Sequence, residues 1–168
     1  AVHRKGMGGR KCALVTGGAS GIGWEIVKEL LHLDYAVAIA DNNIESLQHT
    51  RALLQGGESF HVWKVVHTDV TSDKSVAALF HEVEHEFGVP DVVFNNAGIV
   101  EHPFAFMDEE RTFLEFEKVI NVDFTASVRV GRVYALSLQS IGKSGTLITT
   151  ASNGGLYPML GAPVYAAA

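Results

Sequence analysis

Short runs that are apolar at nearly every position alternate along the chain with longer stretches in which apolar residues recur every three or four positions. The short runs read as strands over residues 12–15, 36–40, 60–66, 91–94 and 146–150, and the Ala-Val-Ala-Ile-Ala run at 36–40 has the character of a strand covered on both faces. The longer stretches read as helices. Residues 21–33 gather Ile22, Ile26, Val27, Leu30 and Leu33 on one side, residues 44–54 end at Gly56 and Gly57, residues 72–87 gather Val76, Leu79, Phe80, Val83 and Phe87, and residues 111–139 form one long helical pattern. Strands separated by helices of this length require right-handed crossovers and a parallel sheet. The expected fold is therefore α/β, a doubly wound parallel sheet of the Rossmann kind in three α/β/α layers, over residues 11–168, preceded by a flexible tail at 1–10. No repeat or linker divides it.

Composition narrows the partners. The chain has 168 residues, 47% of them hydrophobic and 19% charged, with a formal net charge of −6. That balance argues against nucleic acid or an anionic membrane surface as a partner. The one basic cluster, His3, Arg4, Lys5, Arg10 and Lys11, is interrupted by Gly6, Gly8 and Gly9 and reads as a solvated tail. The single cysteine, Cys12, opens an apolar run and reads as a buried packing residue. With no second cysteine to pair with and no apolar stretch of membrane-spanning length, the expectation is a soluble, cytoplasmic protein.

Candidate chemistry begins between the first strand and the first helix. Thr16-Gly17-Gly18-Ala19-Ser20-Gly21-Ile22-Gly23 places small residues where a helix N-terminus offers free N–H groups, the arrangement that receives a diphosphate. Asp41 follows the next strand directly, 18 positions after Gly23. A carboxylate there accepts hydrogen bonds from ribose hydroxyls and repels a 2′-phosphate, and neither the glycine loop nor Asn42 and Asn43 supplies a cation to offset it. NAD is thus the expected cofactor, ahead of NADP. Two plainer readings stay open: Asp41 as a cap for the helix that follows, and Ser20 as an ordinary turn hydroxyl.

The combination resembles the short-chain dehydrogenase/reductase family. Residues 16–23 match its TGxxxGxG loop, Asn95-Asn96-Ala97-Gly98 its NNAG motif, Asp69-Val70 its adenine-contacting pair, Asn121 the asparagine of its long helix, and Ser152 and Tyr165, 13 positions apart, its catalytic pair. Residues 155–158 and 163–165 look most like the hydroxyprostaglandin dehydrogenase branch. The likeness covers about residues 10–168. It implies a cofactor site built from Gly17, Ser20, Gly21, Ile22, Gly23, Asp41, Asn42, Asp69, Val70, Asn96, Ala97 and Gly98. It implies an alcohol or ketone of apolar character as the small-molecule substrate. In that scheme Tyr165 is the general acid or base, Ser152 holds the substrate oxygen, and Asn121 holds a water linked to a lysine. That lysine belongs to a YxxxK signature. Tyr165 is followed by three alanines, so the lysine would fall one position past Ala168. The resemblance thus implies a fragment, inactive by itself, of a protein that forms homo-oligomers when intact. An ordinary tyrosine, with a pKa of about 10, is ionised in only about one molecule per thousand at pH 7, so a neighbouring cation has to lower it. Lys143 precedes the fifth strand and has no evident route to Tyr165.

Two other functions fit parts of the sequence. A chain that binds NAD for regulation or assembly, without catalysis, would need the same loop and the same acid. His81-Glu82-Val83-Glu84-His85 fits the HExxH pattern of zinc peptidases. The apolar face of that helix, however, leaves His81 and His85 toward solvent, and a catalytic zinc needs a third protein ligand, so no metal is expected. Trp24 and Trp63 read as packing residues, and Asp69 as a candidate cap for the third helix.

Overall fold

A computed structural model describes residues 9–57, 62–111 and 113–168. Most of the expected tail (residues 1–8), and Phe60 and His61 of the expected third strand, lie outside these. Arg10 is tied down, its Nε 2.6 Å from Asp34 Oδ1.

Five strands alternate with helices: β1 (Cys12–Thr16), α1 (Gly21–His32), β2 (Ala36–Asp41), α2 (Ile44–Gln55), β3 (Val62–His67), α3 (Asp73–Phe87), β4 (Val92–Asn95), α4 (Phe113–Val119), α5 (Ala126–Ser140), β5 (Thr146–Thr149) and α6 (Pro163–Ala167). The strands form one parallel sheet in the order β3-β2-β1-β4-β5. The chain reverses its direction of winding between β1 and β4, and a crevice opens at the carboxyl ends of strands at such a point.

Alternation along β1 explains why the strand is apolar throughout. Cys12 and Leu14 enter the layer formed with α3 and α5, whereas Ala13 and Val15 enter the layer formed with α1. The first layer holds the predicted stripe of α3, Val76, Leu79, Phe80, Val83 and Phe87, together with Val130 and Tyr134 of α5. The second holds Val27, Leu30 and Leu31, with Trp24, Leu54 and Trp63 packed partly against it. Burying each large aliphatic or aromatic side chain contributes about 1.5–3 kcal/mol of transfer free energy, so these two layers carry the fold. Cys12 is fully buried, as its position predicts.

Helices α2 and α3 begin at side-chain caps. Asn43 Oδ1 accepts from Ser46 N–H at 2.9 Å and Ser72 Oγ from Ser75 N–H at 3.3 Å. The cap of α3 is therefore Ser72. Asp69 turns instead toward Thr71, accepting from its backbone N–H and its hydroxyl at 2.8 and 2.7 Å.

One expected element is divided. The stretch over 111–139 is α4 and α5 separated by a π-helical turn, Ile120–Thr125. The wider turn shifts the helical register between its two halves, and Ser127 Oγ donates to the Asp123 carbonyl at 2.8 Å within it. No proline or glycine marks the turn in the sequence. β5 is exposed along its whole length and forms one edge of the sheet. On α5, Val130 is fully buried, while Leu136 is exposed.

Candidate active site

A cleft of about 1500 Å³ runs along the carboxyl ends of the strands, from Asp41 past Gly17 and Asn96 to Ser152 and Tyr165. Ser20, Gly21, Ile22, Asn42, Asp69, Val70, Ala97 and Gly98 line it as well. Of the residues that the resemblance assigns to the cofactor and the catalytic group, all line this one cleft except Gly23 and Asn121.

At one end the backbone supplies the chemistry. Gly17 and Gly21 have φ of +63° and +51°, a region that favours glycine. A Cβ on Gly17 would lie 2.9 Å from Ala97 Cα, whereas one on Gly21 would meet nothing within 4 Å, so the turn is pressed against the sheet on one side and open on the other. Gly23 is buried and does not line the cleft. A Cβ there would fall 2.0 Å from the Gly17 carbonyl oxygen, so its smallness lets α1 approach the loop. The first turn of α1 leaves N–H groups without intrahelical partners, and the Ser20 hydroxyl makes no capping bond, so both can serve an anionic ligand.

Asp41 does not cap α2. Its Oδ2 accepts from Ala19 N–H at 3.1 Å and its Oδ1 from Asn43 N–H at 3.0 Å, which fixes the carboxylate between the glycine loop and the tip of β2. Each oxygen retains a lone pair for a hydroxyl in the cleft. Open space, a positive helix end and a held carboxylate together fit the diphosphate and the ribose of a dinucleotide.

Asn96 joins the middle of the cleft. Its backbone N–H and that of Ala97 donate to Thr16 Oγ1 at 3.0 and 3.1 Å, its Nδ2 donates to the Thr16 carbonyl at 3.2 Å, and its Oδ1 accepts from Thr150 Oγ1 at 3.0 Å. Thr16, the first residue of the glycine motif, thus ties that loop to Asn96 and Ala97.

At the far end Ser152 Oγ accepts from Gly154 N–H at 3.1 Å, leaving its own proton to donate. A Cβ on Gly154 would lie 3.3 Å from both Ser152 Oγ and Tyr165 Cε1, so the hydroxyl and the phenol ring both border this glycine. Asn121 is exposed and borders a separate shallow hollow with Leu114 and Glu117. The π turn presents Asp123 to the cleft instead, its Oδ1 accepting from Ile99 N–H at 2.9 Å. Burial pushes the Asp123 carboxyl above its ordinary range; the Ile99 N–H opposes this and the charge of nearby Glu101 adds to it. Lys143 is engaged elsewhere, 2.7 Å from Asp91 Oδ1 and donating to the Val89 carbonyl at 3.0 Å. Lys118 is the one basic residue lining the cleft among the described residues.

His81 and His85 are exposed on the outer face of α3, far from this arrangement in the fold. Among the described residues no group of three His, Cys, Asp or Glu is placed to hold a metal. Nor is any described helix long and apolar enough to cross a membrane.

A family profile described as short chain dehydrogenase matches residues 11–168. The chain belongs to the short-chain dehydrogenase family. Among its relatives, the cis-4-hydroxycyclohexanecarboxylate dehydrogenase of Sinomonas cyclohexanicum is 36% identical, over 94% of this chain and 61% of that protein. The NAD(+) 15-hydroxyprostaglandin dehydrogenase of Mus musculus is 33% identical, over 94% of this chain and 55% of that protein. A short-chain dehydrogenase/reductase from Burkholderia phymatum, solved in complex with NAD, superposes with a TM-score of 0.84 at 26% identity, over 94% of this chain and 54% of that one. The chain therefore spans little more than half the length of these relatives. The expected likeness to hydroxyprostaglandin dehydrogenases is present, alongside dehydrogenases of other alcohols.

Proposed function

We propose that the intact protein is an NAD-dependent oxidoreductase that interconverts a secondary alcohol and a ketone, with Tyr165 as the proton-transfer group. The observation that carries this reading is the single cleft joining the glycine loop and Asp41 to Ser152 and Tyr165. The relative named for NAD(+) and the NAD complex of a structural neighbour support the choice of cofactor.

In this reading the α1 N-terminus and Ser20 hold the diphosphate, Asp41 takes the ribose hydroxyls and excludes a 2′-phosphate, and Asp69 and Val70 flank the adenine. When bound, the nicotinamide supplies a hydride acceptor. Ser152 donates its hydroxyl proton to the substrate oxygen and sets it beside Tyr165. In oxidation the phenol oxygen, ionised, takes the alcohol proton as hydride leaves the carbinol carbon; in reduction the phenol gives that proton back. Ile99 and Val100 line the cleft near this end, which supports an alcohol of apolar character. The lone cysteine supports a cytoplasmic site, and we expect the intact protein to associate with copies of itself. The 168 residues assayed alone are expected to turn over little, because the resemblance calls for a lysine four positions beyond Tyr165 and Lys143 is committed to Asp91.

Calorimetric titration with NAD and with NADP tests the reading. Asp41→Ala is expected to weaken NAD about 10- to 100-fold, the worth of hydrogen bonds to a charged group, and to narrow the preference over NADP. A folded chain that takes up no NAD, or whose uptake ignores Asp41→Ala, overturns it. Binding without alcohol oxidation by the full chain would instead favour the non-catalytic module.

A further inference from the structure

The helix that carries Tyr165 cannot cap itself. Pro163 occupies its first turn and has no N–H, and the residue before it, Ala162, makes no side-chain bond. Ala166 N–H reaches the Ala162 carbonyl at 3.1 Å, which leaves the N–H groups of Val164 and Tyr165 to be satisfied from outside. Both go to one carboxylate. Glu101 Oε1 accepts from Val164 N–H at 2.8 Å, and Glu101 Oε2 accepts from Tyr165 N–H at 2.9 Å, with Oε1 also 3.3 Å from that N–H.

Glu101 is 1% exposed, and among the described residues no ion pair accompanies it. Removing a carboxylate from water is costly, and here the compensation is two charge-assisted hydrogen bonds at the positive end of α6. A serine or asparagine at position 162 would cap the helix without that cost. The cost is explained if the bond has a second use, to join α6 to a segment more than 60 positions away.

That segment is itself fastened at several points. Ile99 N–H donates to Asp123 Oδ1 at 2.9 Å, His102 N–H to Glu115 Oε1 at 2.9 Å, and Phe104 N–H to the Gly161 carbonyl at 2.7 Å. The His102 bond, with Arg111 beside it, holds the Glu115 carboxyl below its ordinary range, so that anchor stays charged. Residues 99–104 therefore form a bracket between the π turn, α4 and the start of α6. Glu101 does not itself line the cleft.

We propose that Glu101 is a positioning residue for Tyr165, holding the backbone of the phenol-bearing residue at a fixed place relative to Ser152 and Asp123. The inference rests on the reading of Tyr165 as the acid–base group. It is tested in the full chain with 3-fluorotyrosine placed at position 165 and read by fluorine NMR, beside NAD affinity and the oxidation of cis-4-hydroxycyclohexanecarboxylate. Glu101→Ala is expected to split or broaden the single fluorine resonance and to lower kcat at least 10-fold, with NAD affinity within twofold of the parent. Glu101→Gln keeps the Oε1 acceptor, 2.8 Å from Val164 N–H and 3.3 Å from Tyr165 N–H, and is expected to give a narrower resonance and a higher kcat than Glu101→Ala. Glu101→Asp, one methylene shorter, is expected to behave like the alanine variant, and it decides the matter should Glu101→Ala not fold. An unchanged resonance in Glu101→Ala, a loss of NAD affinity in step with the fluorine change, or identical behaviour of the Asp and Gln variants overturns the proposal. If the parent oxidises no alcohol, the enzymatic reading fails by itself, and the fluorine comparison still decides whether Glu101 holds Tyr165.

Discussion

At the glycine-loop end of the cleft, the groups facing the open space are backbone atoms at the tips of buried strands and in the first turn of a 12-residue helix, together with the held carboxylate of Asp41. At the Tyr165 end they are side chains at the close of an exposed strand and on a five-residue helix. The first end takes its geometry from the core: displacing Gly17 or Gly23 means moving β1 or α1. The second end is held by a few long-range hydrogen bonds, from Glu101, Asp123 and Asn96. In the proposed function, binding and proton transfer would thus rest on different parts of the molecule, and they should fail separately when those parts are altered.

The largest expected effect isolates the second end. Tyr165→Phe should lower kcat of the full chain roughly 100- to 10,000-fold, the usual worth of a general acid–base group, while calorimetry shows NAD affinity unchanged. A parallel loss of affinity would mean that the two ends are not separable. Gly23→Ala should do the opposite kind of damage. The added carbon meets the Gly17 carbonyl oxygen, so the backbone itself must yield, at a cost of about 3 kcal/mol in urea unfolding and with NAD binding weakened alongside. Full stability in that variant would show that the loop and α1 are less tightly joined than the comparison requires.

Smaller effects sharpen the contrast. Ser72→Ala removes the side-chain cap of α3 but keeps the Ser72 N–H bond to the Asp69 carbonyl, and should cost about 1 kcal/mol of stability with binding and turnover both intact. Asp123→Asn keeps an acceptor for Ile99 N–H but removes a carboxylate whose proton affinity is raised by burial. Below the unfolded pKa, near 4, both states are protonated and the variant should match the parent. As the pH rises the unfolded chain releases its proton first, so the parent loses stability that the variant keeps. The variant should therefore melt higher at pH 7, with the difference closing under acid. A difference that persists at pH 3 would place its origin elsewhere.

The same division governs how much was readable beforehand. The glycine loop, Asp41 and Asn96 were legible because each acts from a position set by its own strand, and the periodicity of the chain locates the strand ends. The fold followed from the same periodicity. Asn121 rests on the family resemblance and on the expectation of one uninterrupted helix; the π turn, invisible in composition, brings Asp123 to the cleft and leaves Asn121 beside it. Glu101 sits in an apolar stretch after the NNAG motif with nothing local to mark it. Its partners lie more than 60 positions away, and only the folded chain brings them together.

Asn96 grips β1 through Thr16 and reaches β5 through Thr150, with its own strand between them. Neighbouring strands lie about 4.8 Å apart, so this amide acts as a gauge block across three of them. The span from the glycine loop to the phenol is inherited from strand spacing, the least adjustable length in the molecule. Under the proposed function, the rim could then change for another alcohol while the reach of the hydride stayed fixed.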